Sequence, residues 1–134
     1  MAYPAVPYDQ ATEIKAWVYG LQQNTENRSN LAIVNSAGID RYYSYGCCQD
    51  IFRIELFDGE TGLKVGSVDS IAINPGEWKQ FDNILSQYAP GTIQGYALVT
   101  HTNGRNPFIA YAVINDGAVP GERTGDGAFI SSVP

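Results

Sequence analysis

Reactive side chains are scarce in this sequence. Its 134 residues include one histidine and two cysteines, the latter adjacent as Cys47 and Cys48. A structural zinc wants four ligands, and nucleophilic catalysis wants a base held against its nucleophile. This inventory supplies almost nothing for either, so no metal and no cofactor are expected. Positive charge is scarce too: 8 lysines and arginines stand against 14 aspartates and glutamates, a formal net charge of −6. An acidic surface repels phosphate backbones and anionic lipid, which argues against nucleic acid as a partner. No apolar run approaches the roughly 18 residues of a membrane-crossing helix, so no membrane insertion is expected. The first ten residues lack the basic start and apolar stretch of a signal peptide. Neither Gly-x-Ser-x-Gly nor another strained-turn serine motif occurs.

What is abundant points to strands. Hydrophobic residues make up 44% and charged residues 16%, a globular composition. Fourteen glycines and seven prolines accompany nine tyrosines, five phenylalanines and two tryptophans, a mixture that favours strands and tight turns. The length fits one domain. Residues 1–10 read as an extended N-terminal linker and 11–134 as a single β-sandwich domain.

Ile14–Leu21 alternates, with Ala16 and Val18 on one face and Trp17, Tyr19 and Leu21 on the other. Leu31–Asn35 is a continuous apolar run suited to a buried strand. Ile51–Phe57 sets Phe52, Ile54 and Leu56 against Arg53, Glu55 and Phe57, a half-buried strand. Asp58-Gly59-Glu60-Thr61-Gly62 then turns the chain into a hairpin with Leu63–Val68. Ser70–Ile73 ends at Asn74-Pro75-Gly76, where proline breaks the ladder. Trp78, Phe81 and Leu85 recur at helical spacing, which predicts a helical turn with Trp78 and Phe81 capping the core. On that placement Trp78→Ala costs roughly 3–5 kcal/mol. Gln94–Thr102 and Pro107–Asn115 read as a second hairpin through Asn103-Gly104-Arg105-Asn106, and Phe129-Ile130 as a last edge strand. About seven short strands with one helical turn predict an all-β, antiparallel, immunoglobulin-like β-sandwich.

Several stretches together resemble a β-sandwich module that recurs, often near C-termini, in large exported bacterial proteins. They are Asn27–Asn35, Leu56-Phe57-Asp58-Gly59, Pro75-Gly76-Glu77-Trp78-Lys79-Gln80-Phe81 and its continuation to Leu85, and Gly95–Ala112, ending in Thr124-Gly125-Asp126-Gly127-Ala128-Phe129-Ile130. The likeness covers nearly everything after Glu26. Its motifs are turns and core positions, so it implies fold and an accessory, non-catalytic role of unassigned kind. It also implies a secreted or cell-surface setting. The chain departs from the module at Ser36–Gln49, a longer and more aromatic connection.

That insertion holds the leading candidate site: Arg41, Tyr42, Tyr43, Tyr45, Cys47 and Cys48. Tyrosine, serine and glycine are the composition of adaptable recognition loops, since tyrosine gives contact area at low entropic cost. The plain alternative is a tyrosine-rich loop folded over its own sandwich, with Tyr3 and Tyr8 adding cover. Cys47 and Cys48 are two free thiols, a vicinal disulfide, or a pair between chains. His101 is the one general base near neutrality, on the face of Ala97 and Val99 or at its strand's end. Glu55, Asp58, Glu60, Asp69, Glu77 and Asp82 are raw material for a carboxylate pair, though in turns and on solvent faces. Asp116, Glu122 and Asp126 in a glycine-rich stretch form a calcium candidate whose alternative is a solvated turn. Asn27-Arg28-Ser29 matches the N-glycosylation pattern by three residues only.

The expectation is therefore a non-catalytic binding module of an exported bacterial protein, touching a carbohydrate or a protein partner through residues 40–48. The alternatives are a small inhibitor of a secreted enzyme and a hydrolase.

Overall fold

The computed structural model describes residues 15–37, 49–116 and 128–134. The linker expected at 1–10 lies outside them. The elements are β1 (Lys15–Gln22), β2 (Asn27–Asn35), β3 (Asp50–Asp58), β4 (Lys64–Ile73), β5 (Trp78–Phe81), α1 (Ile84–Tyr88), β6 (Gln94–Asn103), β7 (Phe108–Asp116) and β8 (Ala128–Ser131). They build two antiparallel four-stranded sheets, ordered β1-β6-β3-β4 and β5-β2-β7-β8. This is the all-β sandwich that the alternating patterns predict.

The period of 2 in β3 explains the first sheet. Phe52, Ile54 and Leu56 point inward and are fully buried, joined by Ala16, Val18, Ala97 and Val99 from the flanking strands. From the second sheet they meet Leu31, Ile33, Phe108, Ala110 and Ala112. Each large apolar side chain removed from water contributes about 1.5–3 kcal/mol, so this interlayer core dominates the stability. β2 and β7 have no polar face in their middle. Ala32, Ile109, Tyr111 and Val113, which alternate with the inward residues, form a second buried cluster. A strand buried on both faces needs an unbroken apolar run, which is what Leu31–Val34 displays.

The β3–β4 hairpin forms where the sequence places it. Asp58 Oδ1 accepts the backbone N–H groups of Glu60 and Thr61, and Asp58 N–H donates to the Leu63 carbonyl. This local side-chain turn fixes the reversal without help from the core.

Four local expectations are corrected. β6 and β7 are not a hairpin: they lie in different sheets, so Asn103–Pro107 arches between layers. The apolar demand of β7 on both faces places it beside β2, and the Pro107 carbonyl accepts from Ser36 N–H across the arch. β4 is one strand from Lys64 to Ile73, with Ser70 at φ 58 absorbing a register shift. Leu21 is buried on the face of Val18 rather than sharing that of Tyr19, because a bulge at Gly20 (φ 82) interrupts the alternation.

The fourth correction concerns Trp78–Phe81, which is the edge strand β5 and not a helical turn. After Pro75-Gly76 the chain is caught by the open edge of β2: Asn35 N–H donates to the Glu77 carbonyl, and Val34 and Leu31 pair with Trp78 and Phe81. Backbone ladder bonds decide the period here, and the helix starts later, at Ile84. Phe81 packs against the core, while Trp78 stays 50% exposed. Trp78 is therefore no anchor. In urea unfolding, Phe52→Ala is expected to cost about 3–5 kcal/mol and Trp78→Ala about 1 kcal/mol or less. Equal losses at the two positions contradict this assignment.

Candidate functional site

Arg41, Tyr42, Tyr43, Tyr45, Cys47 and Cys48 lie outside the described residues, as do Tyr3, Tyr8, Glu122 and Asp126. Two other places gather chemically capable side chains, one at each end of β3.

The first is buried. His101, near the end of β6, shares the inward face of Ala97 and Val99, and its ring lies 4.7 Å from Phe52 and 4.8 Å from Phe108 between centroids. Its Nε2 is 2.8 Å from Asp50 Oδ2, and the two side chains are 8% and 3% exposed. Protonation of the imidazole would make this an ion pair. Asp50 opens β3, and Oδ2 also accepts the Asn106 backbone N–H at 2.9 Å. The carboxylate lies so close to Gly104 (φ 97) that a Cβ there would overlap it. One carboxylate thus fastens the start of β3, the end of β6 and the interlayer arch.

Ser36 Oγ donates to the Pro107 carbonyl at 2.8 Å, and Thr102 Oγ1 to the Ile51 carbonyl at 3.4 Å. The Ser36 bond ties the end of β2 to the start of β7. The arrangement holds strands together, and a buried charged partner that is hydrogen-bonded does that well.

Five of the six candidate surface carboxylates are engaged locally; the sixth, Glu60, is exposed in the β3–β4 turn and its side chain pairs with no described residue. Glu55 lies 3.2 Å from Lys64 Nζ, and Asp69 pairs with Arg53. Asp69 raises the guanidinium pKa above its ordinary value, first through their hydrogen bond and then through its charge. Asp58 fastens the hairpin turn, Asp82 accepts from Gln80, and Glu77 accepts from Asn74. Among the described residues no group of three His, Cys, Asp or Glu side chains is placed to hold a metal.

The second place is on the outer face of the first sheet. Alternation turns Trp17 and Tyr19 of β1, Tyr96 of β6 and Phe57 of β3 to the side opposite the core. Tyr96 pairs directly with Phe57, their rings nearly parallel at 5.1 Å, and Tyr19 lies 5.5 Å from Tyr96. Trp17 is 6.2 Å from Tyr19 and 6.1 Å from Tyr96, with Lys15 Nζ 6.0 Å over its ring. Tyr19 is 49% exposed; the other three rings are half-buried.

Beside this cluster runs an open groove of about 250 Å³, between the β1–β6 end and the β3–β4 turn. Tyr19, Gln22, Gln94 and Tyr96 line it with Gly20 and Gly59. Gln22 and Gln94 are cross-strand partners. No lining residue is charged. The volume falls below the roughly 300–1,000 Å³ of pockets that enclose drug-sized ligands, so this surface suits contact rather than engulfment.

The alternation in the sequence puts Trp17 and Tyr19 on one face of their strand and Phe57 opposite Phe52, Ile54 and Leu56, but strand order, which brings the three together, is not written there. Tyr96 was passed over as one residue of a strong strand. Asp50 was not singled out, having no partner in sequence. The signal for the cluster was there: aromatics at outward positions of three strands have no other route out of water than each other.

Gly104→Ala and Gly91→Ala separate backbone strain from crowding at Asp50. Gly91 has φ 88 with nothing near its Cβ position, so its substitution is expected to cost about 1 kcal/mol. Gly104→Ala adds the overlap with Asp50 and is expected to cost about 2 kcal/mol or more, read as a lower midpoint in urea. Indistinguishable midpoints contradict the role given to Asp50.

Against known proteins, no family model matches this chain, and no curated protein does. Among solved structures, the crystal structure of Thermotoga maritima 1070 is similar, with a TM-score of 0.53 over 87% of this chain and 91% of that one. The identity is 11%, so the likeness concerns the fold alone.

Proposed function

We propose that this domain is a non-catalytic binding module of an exported bacterial protein, an immunoglobulin-like scaffold that meets its partner through the aromatic end of the first sheet. The observation that carries this reading is the gathering of Trp17, Tyr19, Phe57 and Tyr96 on a solvent-facing side, with Tyr19 49% exposed beside an uncharged groove. The fold does not require four aromatics there, since the core closes on the other face. Aromatic side chains with a polar tip give contact area while tolerating water. Residues 40–48 keep their standing as a second contact loop by composition.

The hydrolase reading is weaker. Glu55, Asp58, Asp69, Glu77 and Asp82 are each held by a neighbour, Glu60 is exposed in a turn, and the groove lining carries no carboxylate. The His101–Asp50 pair is buried among Phe52 and Phe108.

Selection of ligands for the immobilised full chain from a glycan array and a displayed peptide library tests this proposal. Ligands so found are expected to lose at least tenfold in affinity on Tyr19→Ala with Tyr96→Ala, and to be unaffected by Val65→Ser in β4. Ligands indifferent to the double substitution, or a turnover abolished by His101→Ala, overturn it.

A further inference from the structure

Resting on that reading, we infer that the groove beside Tyr19 takes a neutral pyranose chain. A pyranose presents C–H groups on its faces and hydroxyls around its rim. The faces pack on the electron-rich side of an aromatic ring, and the rim needs groups that both donate and accept. Tyr19 supplies the most exposed ring of the cluster, backed by Trp17 and Tyr96.

Gln22 and Gln94 supply the rim. They face each other across β1 and β6, one step along from the Tyr19–Tyr96 contact. A primary amide offers two donors and one acceptor in a plane, the set that adjacent sugar hydroxyls engage. Neither side chain hydrogen-bonds another of the described residues. Gly59 is exposed, and a Cβ there would lie 3.3 Å from Gln94 Cγ, so the glycine leaves that amide side chain uncrowded.

Charge decides among ligands. No carboxylate and no basic side chain lines the groove; Lys15 sits over Trp17, which is not part of the lining, Glu55 and Lys64 beyond Phe57 neutralise one another, and the chain carries a net −6. A phosphorylated or uronic-acid ligand would find no cation lining the groove, in a chain whose net charge is negative. A neutral polyhydroxylated chain meets neither obstacle. The groove is open at about 250 Å³, which fits a chain lying along a surface better than an enclosed monosaccharide.

Affinity electrophoresis of the full chain tests this inference. Native gels are cast with hydroxyethylcellulose, xylan, galactomannan or pullulan as neutral probes and polygalacturonate as the acidic one. Retardation is expected in at least one neutral gel, weakened at least tenfold by Tyr19→Ala with Tyr96→Ala and several-fold by Gln94→Ala. A binding constant for the same polysaccharide in solution is expected to be unchanged between 0.05 and 0.5 M salt, as screening affects only charged contacts. Gln94 is exposed, so its variant keeps the test valid if the double variant misfolds. Migration unaltered in every neutral gel, retardation indifferent to the substitutions, or preference for polygalacturonate overturns the inference. Peptide ligands that depend on Tyr19, found with no polysaccharide binding, would sink the sugar assignment while leaving the binding-module reading in place.

Discussion

The seating of β3 between β4 and β6, with every second side chain driven into the interlayer core, is the constraint from which the rest follows. Phe52, Ile54 and Leu56 are fully buried, and two ladders hold the strand on both sides. Once those three point inward, the pleat leaves Arg53, Glu55 and Phe57 no choice but the outer face. Phe57 then meets Tyr96 across the β3–β6 ladder, and the aromatic cluster grows from that pair toward Tyr19 and Trp17. At the other end of the strand, Asp50 is carried into contact with His101.

The two ends of β3 illustrate different uses of chemically capable groups. Asp50 and His101 are nearly inaccessible, and the carboxylate also receives a backbone N–H, so the pair organises the arch between the sheets. The aromatic end is open and, in its groove, uncharged. A catalytic site needs perturbed groups, a cleft and room for substrate together. Here the buried pair and the groove stand at opposite ends of one strand. The proposed binding asks for shape and contact area, which the aromatic end offers.

Much of this fold was legible in the sequence, and the part that was not has a common cause. Local signals held: the alternation of β3, the Asp58 turn and the double-sided burial of Leu31–Val34 all come from residues near one another in the chain. Errors arose where a distant partner decided the outcome. Trp78 and Phe81 have helical spacing, yet the open edge of β2 draws them into a ladder. Gln94–Thr102 and Pro107–Asn115 look like hairpin arms, yet the apolar demand of β7 on both faces sends it to the other sheet. Leu21 changes face because Gly20 adds a bulge that no periodicity displays. The aromatic site was invisible for the same reason: its four members come from three strands whose order only tertiary structure reveals. The tyrosine-rich insertion drew attention because its residues are contiguous.

The central claim is that contact takes place on the outer face of β1, β6 and β3 and leaves the buried end untouched. The most direct measurement is the set of backbone amide shifts of the full, labelled chain titrated with a soluble neutral oligosaccharide, such as cellohexaose or xylohexaose. The account predicts shifts confined to Tyr19–Gln22, Gly59 and Gln94–Tyr96, together with the Trp17 indole. Shifts centred on Asp50, His101 and Asn106 would contradict it and return attention to the buried pair.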